Sequence, residues 1–202
     1  MPNKERRRKE KEELRQQILD VAKDIAANDG WQNVTIRKIC EQIHYTAPVI
    51  YQYFESKEMI MESLRHDGLK QVSLIFEQID KQHLSPEKRL VEYALAWWNF
   101  SKSNPELYQV MFNLQGAVCV NGETSLITVI GFYKAAFCDI NSKAKRSEKF
   151  RLELCDNLIA IIHGFISIRM VNKIKSGSDH ADTAYKNSIQ RFIHSINDTN
   201  TK

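Results

Sequence analysis

The chain has 202 residues, 43% of them hydrophobic and 27% charged, a composition that supports a folded core and excludes a disordered polyelectrolyte. A formal net charge of +4, with eleven basic against ten acidic side chains in residues 1–61, excludes recognition of a polyanion by bulk charge, so any such recognition rests on where the cations stand.

Seven glycines and four prolines leave few breaks, and apolar residues recur three and four apart along nearly every long segment, so the chain reads as all-α with no strand. The charged start, Lys4 to Lys11, reads as a frayed helix end or a mobile arm; Arg6, Arg7 and Arg8 lie within reach of phosphates from it, with a solvated tail as the plainer reading. A first helix runs from Glu10 to Asn28 with Leu14, Ile18, Ala22, Ile25 and Ala26 on one face, and Gly30 stops it. Thr35 caps a short second helix whose inner face is Ile36, Ile39, Cys40 and Ile43. After His44 and Tyr45, Thr46 caps a third helix with Pro48 in its first turn and Ile50 and Phe54 facing inward.

A fourth helix starts at Ser56 and carries Met59, Ile60, Leu64, Leu69, Val72 and Phe76 towards Ile79; it is placed to connect two domains. Ser85 and Pro86 open a fifth, with Leu90, Tyr93, Ala94, Trp97 and Trp98, which closes before Asn104. Further helices are expected over Pro105 to Asn113, Thr124 to Ile140, Ser147 to Ile174 and Ala181 to Ile196. The most apolar run, Leu158 to Ile168, is too short to span a bilayer and reads as a buried helix.

Cys40, Cys119, Cys138 and Cys155 are far apart and form no Cys-x-x-Cys pair, which points away from a zinc site or disulfide framework and towards a reducing cytoplasm. No metal or cofactor is expected. The charged first 30 residues lack the apolar segment of an export signal. There is no Ser/His/Asp arrangement, no His-Glu-x-x-His, no glycine-rich phosphate loop and no carboxylate pair within an apolar stretch, so the chain does not read as an enzyme.

The constellation that carries chemistry is the pair of short helices around His44 and Tyr45. Two short helices joined by a tight turn, the second headed by a hydroxyl cap and bearing aromatic and amide side chains outward, describe a helix-turn-helix. The start of the second helix aims N–H groups and partial positive charge at a phosphate. Tyr51 and Tyr53 can donate hydroxyl hydrogen bonds to phosphate oxygens, Gln52 can read an adenine edge with both ends of its amide, and Lys57 and Arg37 supply cations. The bland alternative is a pair of helices that merely packs, with Gln52 a solvated surface amide.

The string TIRKICEQIHYTAPVIYQYFESKE resembles the DNA-binding domain of the TetR family of bacterial transcription regulators, and ILDVAKDIAANDGWQNVTI resembles that family's opening stretch, so the likeness runs from about Ile18 to Ile60. Its most specific part is IYQYFESKE. The resemblance implies an N-terminal three-helix helix-turn-helix domain over residues 1–61 and a larger C-terminal helical bundle over 62–202 for ligand binding and dimerisation. It makes Thr35, Arg37, Thr46, Ala47, Pro48, Tyr51, Gln52, Tyr53 and Lys57 the DNA-facing set, with Ile36, Ile39, Ile50 and Phe54 as packing. His44 and Tyr45 depart from it, because the family commonly has glycine and a small apolar residue in this turn; His44 is therefore expected to take a left-handed backbone.

From Glu62 onward the chain is rich in aromatics, and NPELYQVMF with the later IIHGFISI resembles a variant of the family's C-terminal domain that has a His-Gly pair on a late helix. That resemblance implies a small-molecule effector, for which Trp97, Trp98, Tyr108, Met111, Phe112, Phe132, Phe137 and His163 are the candidate contacts; simple core filling is the competing account of each. Leu154, Leu158, Ile162 and Phe165 on one late helix and Tyr185, Ile189, Phe192 and Ile196 on the last are the expected homodimer surface. A two-fold dimer reads a pseudo-palindrome, so the expected partner is double-stranded DNA with an inverted-repeat operator, and no membrane. The expected function is a repressor released by a small apolar or aromatic ligand. A constitutive regulator without a ligand, or an all-α small-molecule binder or enzyme, are the alternatives.

Overall fold

A computed structural model describes residues 2–114, 116–117, 123–141, 147–171 and 178–198; among them every regular element is helical. The expected helix end at Ile174, and Cys119, lie outside the described residues. No helix among the described residues is long and apolar enough to cross a membrane.

α1, Pro2–Asp29, is longer than its apolar pattern predicts. Ile18, Leu19, Ala22, Ile25 and Ala26 are buried, but none of residues 4–13 is. The opening turns are instead built of Lys, Arg and Glu, good helix formers, with i,i+4 ion pairs from Arg6 to Glu10 at 3.4 Å and Lys9 to Glu13 at 3.7 Å. The stretch expected to fray is thus a continuation of α1. Gly30, at φ 85°, ends it, with its amide donating to the Ala26 carbonyl at 2.9 Å. A 3-10 turn, Trp31–Asn33, follows and drops the Trp31 ring fully into the core.

Thr35 caps α2, Ile36–Ile43, its hydroxyl accepting from the Lys38 amide at 3.2 Å. His44 closes it in the left-handed region, φ 58° and ψ 37°, as the turn required. α3 is short, Ala47–Ile50. Beyond it the Gln52 and Tyr53 amides reach back three residues, to the Val49 and Ile50 carbonyls, so the expected third helix tightens into turns before Phe54.

The remaining elements are α4 Lys57–Asp80, α5 Pro86–Ser103, α6 Pro105–Met111, α7 Glu123–Asn141, α8 Glu148–Met170 and α9 Ser178–Asp198. They fall into two compact units. The first holds α1 to α3, α4 as far as Gly68, and α6, which packs on α1. The second holds the rest of α4 with α5, α7, α8 and α9. The sequence places one boundary after Met61; the units divide within α4 after Gly68, and α6 joins the first.

In the second unit α5 packs against α7, α8 and α9. Phe76 stacks on Tyr93 with ring centroids 4.3 Å apart, and Phe132 and Tyr133 meet Phe76 edge-on at 5.5 and 5.6 Å. The Tyr93 hydroxyl donates to Asp80, beside Arg89, which also pairs with Asp139. Burial, and then the neighbouring Asp80 carboxylate, push the Tyr93 hydroxyl well above the usual phenol range, so it stays a donor. At the other end of α5 Trp98 stacks on Tyr185 at 4.4 Å and donates to Asp182 at 2.7 Å, and the Tyr185 hydroxyl donates to the Ala94 carbonyl at 2.6 Å.

Candidate nucleic-acid interface

The short helices α2 and α3 are held from behind. Ile39, Ile43, Ile50 and Phe54 are all buried, at 0 to 4% exposure, which fixes the opposite face outward. That face presents Thr35, Arg37, His44, Tyr45, Thr46, Pro48, Tyr51 and Gln52, all exposed, with Ala47, Tyr53 and Lys57 half-buried at its edge. Tyr45 and Tyr51, at 45% and 52% exposure, are large aromatics left in water. Two such rings exposed on a short-helix pair suit a partner that offers hydrogen-bond acceptors and flat base edges.

Every member of the sequence-predicted DNA-facing set is exposed or half-buried, but not all are equally available. Gln52 and Tyr51 point into solvent. Arg37, 89% exposed, pairs with Glu41 one turn on at 2.8 Å; that hydrogen bond raises its already high pKa, so a phosphate has to displace a carboxylate to take it. Lys57 is turned inward: its ammonium donates to the Trp31 carbonyl at 2.8 Å, and burial lowers its pKa. It ties the start of α4 to the 3-10 turn. Thr46 sits at the N-cap position of α3, where its carbonyl accepts from the Val49 amide at 2.9 Å, but its hydroxyl makes no cap bond.

Contacts that sequence reasoning missed come from α1. Lys11 lies 5.8 Å from the centroid of the Tyr53 ring, and the Arg15 guanidinium lies 5.2 Å from that of Phe54 while donating to the Ser63 hydroxyl at 3.2 Å. These pairs are about forty residues apart in the chain, so no local spacing announces them. Tyr45 had a signal, since an aromatic stands where the resembled family has a small residue.

The candidate effector contacts do not share one unit. Trp97, Trp98, Phe132, Phe137 and His163 belong to the second, Tyr108, Met111 and Phe112 to the first. Trp97 meets Phe76 and Phe100 edge-on, and Tyr108 lies against Phe112 with centroids 4.7 Å apart. His163 is half-buried, and desolvation lowers its pKa. A surface groove of about 410 Å³ in the second unit is lined by Leu84, Val91, Ile193 and His194 among others, and by none of these candidates.

The expected dimer contacts are largely covered by their own chain. Leu158, Tyr185 and Ile189 are at 0% exposure, Ile196 at 2%, Ile162 at 4% and Leu154 at 8%, with Phe165 and Phe192 half-buried. The apolar side chains that α8 leaves in water are Leu152 and Ile168, at 38% and 48%, with Val171 just past its end at 46%.

Residues 18–64 match the family described as bacterial regulatory proteins, tetR family, a span that runs from the core of α1 through α2 and α3 into α4. Over this span the chain is similar to that family. An HTH-type transcriptional regulator of Haemophilus influenzae is 23% identical over 103 residues, 50% of this chain and 54% of that protein, so the match spans about half of the relative's length. Among solved structures, a regulatory protein 13% identical matches with a TM-score of 0.77 over 92% of this chain and 97% of its own. A TetR protein of Acinetobacter baumannii in complex with minocycline matches at 0.68, 13% identical, over 92% and 97%, and a TetR-family regulator of Thermus thermophilus at 0.66, 16% identical, over 88% and 97%. At such identities the structures establish a common fold across both units.

Proposed function

We propose that the chain is a homodimeric tetR-family repressor that grips an inverted-repeat operator with the Tyr45 to Tyr53 surface of each copy and releases it when the second unit takes up a small apolar or aromatic ligand. The observation that carries the DNA half is the exposure of Tyr45, Thr46, Tyr51 and Gln52 together on a face whose reverse is wholly buried. Gln52 reads a base through its amide in the major groove; Thr46, Tyr51 and Tyr53 donate hydroxyls, and Arg37 a guanidinium, to the phosphates on either side. Two heads related by a two-fold axis read half-sites about one helical turn apart. α4 belongs to the first unit up to Gly68 and to the second beyond it, which makes it the element along which an event in the aromatic core reaches the head.

The effector half draws support from the bound minocycline of the Acinetobacter protein. A constitutive regulator is the second reading, favoured by the ring-on-ring packing of Phe76, Tyr93, Phe132 and Tyr133. The test is selection of duplexes from a random pool by the purified full-length protein, followed by footprinting. Enrichment of a two-fold symmetric site supports the proposal; a protein indifferent to every duplex overturns it. Screening the complex with small hydrophobic compounds for release of the selected duplex then separates the induced from the constitutive reading.

A further inference from the structure

The first turns of α1 sort their charges by side. Lys4, Arg7, Arg8, Lys11 and Arg15 stand at i, i+3, i+4, i+7 and i+11, within about 100° of arc on one face of the helix. The acids that take up cations near them sit away from that stripe: Glu10 pairs with Arg6 and Glu13 with Lys9, both on the opposite side. Arg15 reaches Glu12 at 3.9 Å; among the described residues, Lys4, Arg7 and Arg8 have no carboxylate at ion-pair distance. All three are exposed, and no apolar residue occurs between Pro2 and Leu14 to dock this part of the helix on a core. A helix that served only solubility would mix its signs all around the cylinder. Here the opposite side is mixed, with Arg6 and Lys9 among the acids, while the stripe carries cations alone.

The stripe is also anchored to the reading head. Lys11 over Tyr53 and Arg15 over Phe54 join its inner end to the turn that follows α3, directly after Tyr51 and Gln52 in the chain. From Arg15 to Lys4 the axis rises about 16 Å at 1.5 Å per residue, the length of roughly five base-pair steps of duplex.

We infer that the Lys4, Arg7, Arg8, Lys11 and Arg15 stripe of α1 is a second phosphate-binding surface, which follows the backbone of duplex DNA outside the segment read by α3. It rests on the DNA-binding reading given above and adds sequence-independent affinity to it. Each neutralised phosphate contributes about 0.9 to the slope of log affinity against log salt.

The test compares the full-length protein with a variant combining Lys4→Ala, Arg7→Ala and Arg8→Ala, positions where alanine keeps helix propensity, and with a charge-retaining control combining Lys4→Arg, Arg7→Lys and Arg8→Lys. The probes are the duplex selected by the wild type and the same duplex extended by about ten base pairs on each side. The wild type and the control bind the extended duplex more tightly than the short one. The alanine variant loses that gain, and its slope falls by up to about 2.7 per protomer, so that between 50 and 200 mM salt the wild type loses roughly 40-fold more affinity than the variant for each protomer engaged. Base preference stays the same. Equal slopes and equal gain on the extended duplex would overturn the inference, as would a variant that loses binding to anionic lipid vesicles while keeping its affinity for both duplexes. A wild type that binds no duplex removes the DNA reading itself, and that outcome is distinct from either.

Discussion

Among single residues, Gln52 and Lys57 stand at opposite poles of the same surface. Gln52 is exposed and unencumbered by the fold, so Gln52→Ala leaves stability within about 0.5 kcal/mol while discrimination at one base pair falls by roughly 1–3 kcal/mol, measured against a set of single-substitution duplexes. A uniform loss on all duplexes would make it a backbone contact instead. Lys57 donates to the Trp31 carbonyl, and the cost of removing it falls first on the fold. Lys57→Met lowers unfolding free energy by roughly 1 kcal/mol in urea titration, the value of one partly exposed charged hydrogen bond, and changes the salt slope of DNA binding by well under 0.9. A full unit of slope with unchanged stability would return Lys57 to the phosphates, where the motif alone had placed it.

At the scale of elements, much of the first unit was legible because short helices need explicit stops. Thr35, Pro48 and Gly30 mark ends that periodicity leaves vague, and the left-handed turn at His44 was expected from the resemblance, because the resembled family commonly has glycine there. That residue gives a prediction: His44→Gly relieves the left-handed strain and raises the melting temperature, by the equivalent of roughly 1 kcal/mol, whereas His44→Val lowers it by at least as much. If His44→Gly is less stable than the parent, the imidazole holds the turn by a contact and the backbone argument fails. What escaped reading had a common cause. α1 extends to Pro2 on propensity and ion pairs with no apolar stripe to show it, and the buried Trp31 ring and the Lys11 and Arg15 contacts depend on segments that meet only after folding. Likewise an apolar helix face announces that it is covered, but the pattern is the same whether the cover is a neighbouring helix or a second molecule.

On the scale of the whole molecule, that ambiguity decides where a second copy docks in the proposed homodimer. Tyr185 is stacked on Trp98 and bonded to the Ala94 carbonyl of its own chain, so it has no surface left to offer. Ile168 and Val171 do, nearly half in water near the end of α8, next to Gly164, where an added Cβ would meet nothing within 4 Å. A pair of copies joined there brings small and aliphatic side chains into contact at close helix spacing. On this argument Tyr185→Phe costs about 1 kcal/mol of stability through the lost hydrogen bond and leaves the sedimentation coefficient of the dimer unchanged. Ile168→Glu does the reverse: the folded chain melts where the parent does, and the dimer dissociates at concentrations where the parent stays associated. In the proposed homodimer DNA binding follows the dimer, because the second head engages as an intramolecular event, and its loss lowers affinity for a symmetric duplex by about 10²-fold or more. A Tyr185→Phe protein that sediments as a monomer, or an Ile168→Glu protein that remains a dimer, would place the two-fold axis elsewhere on the second unit.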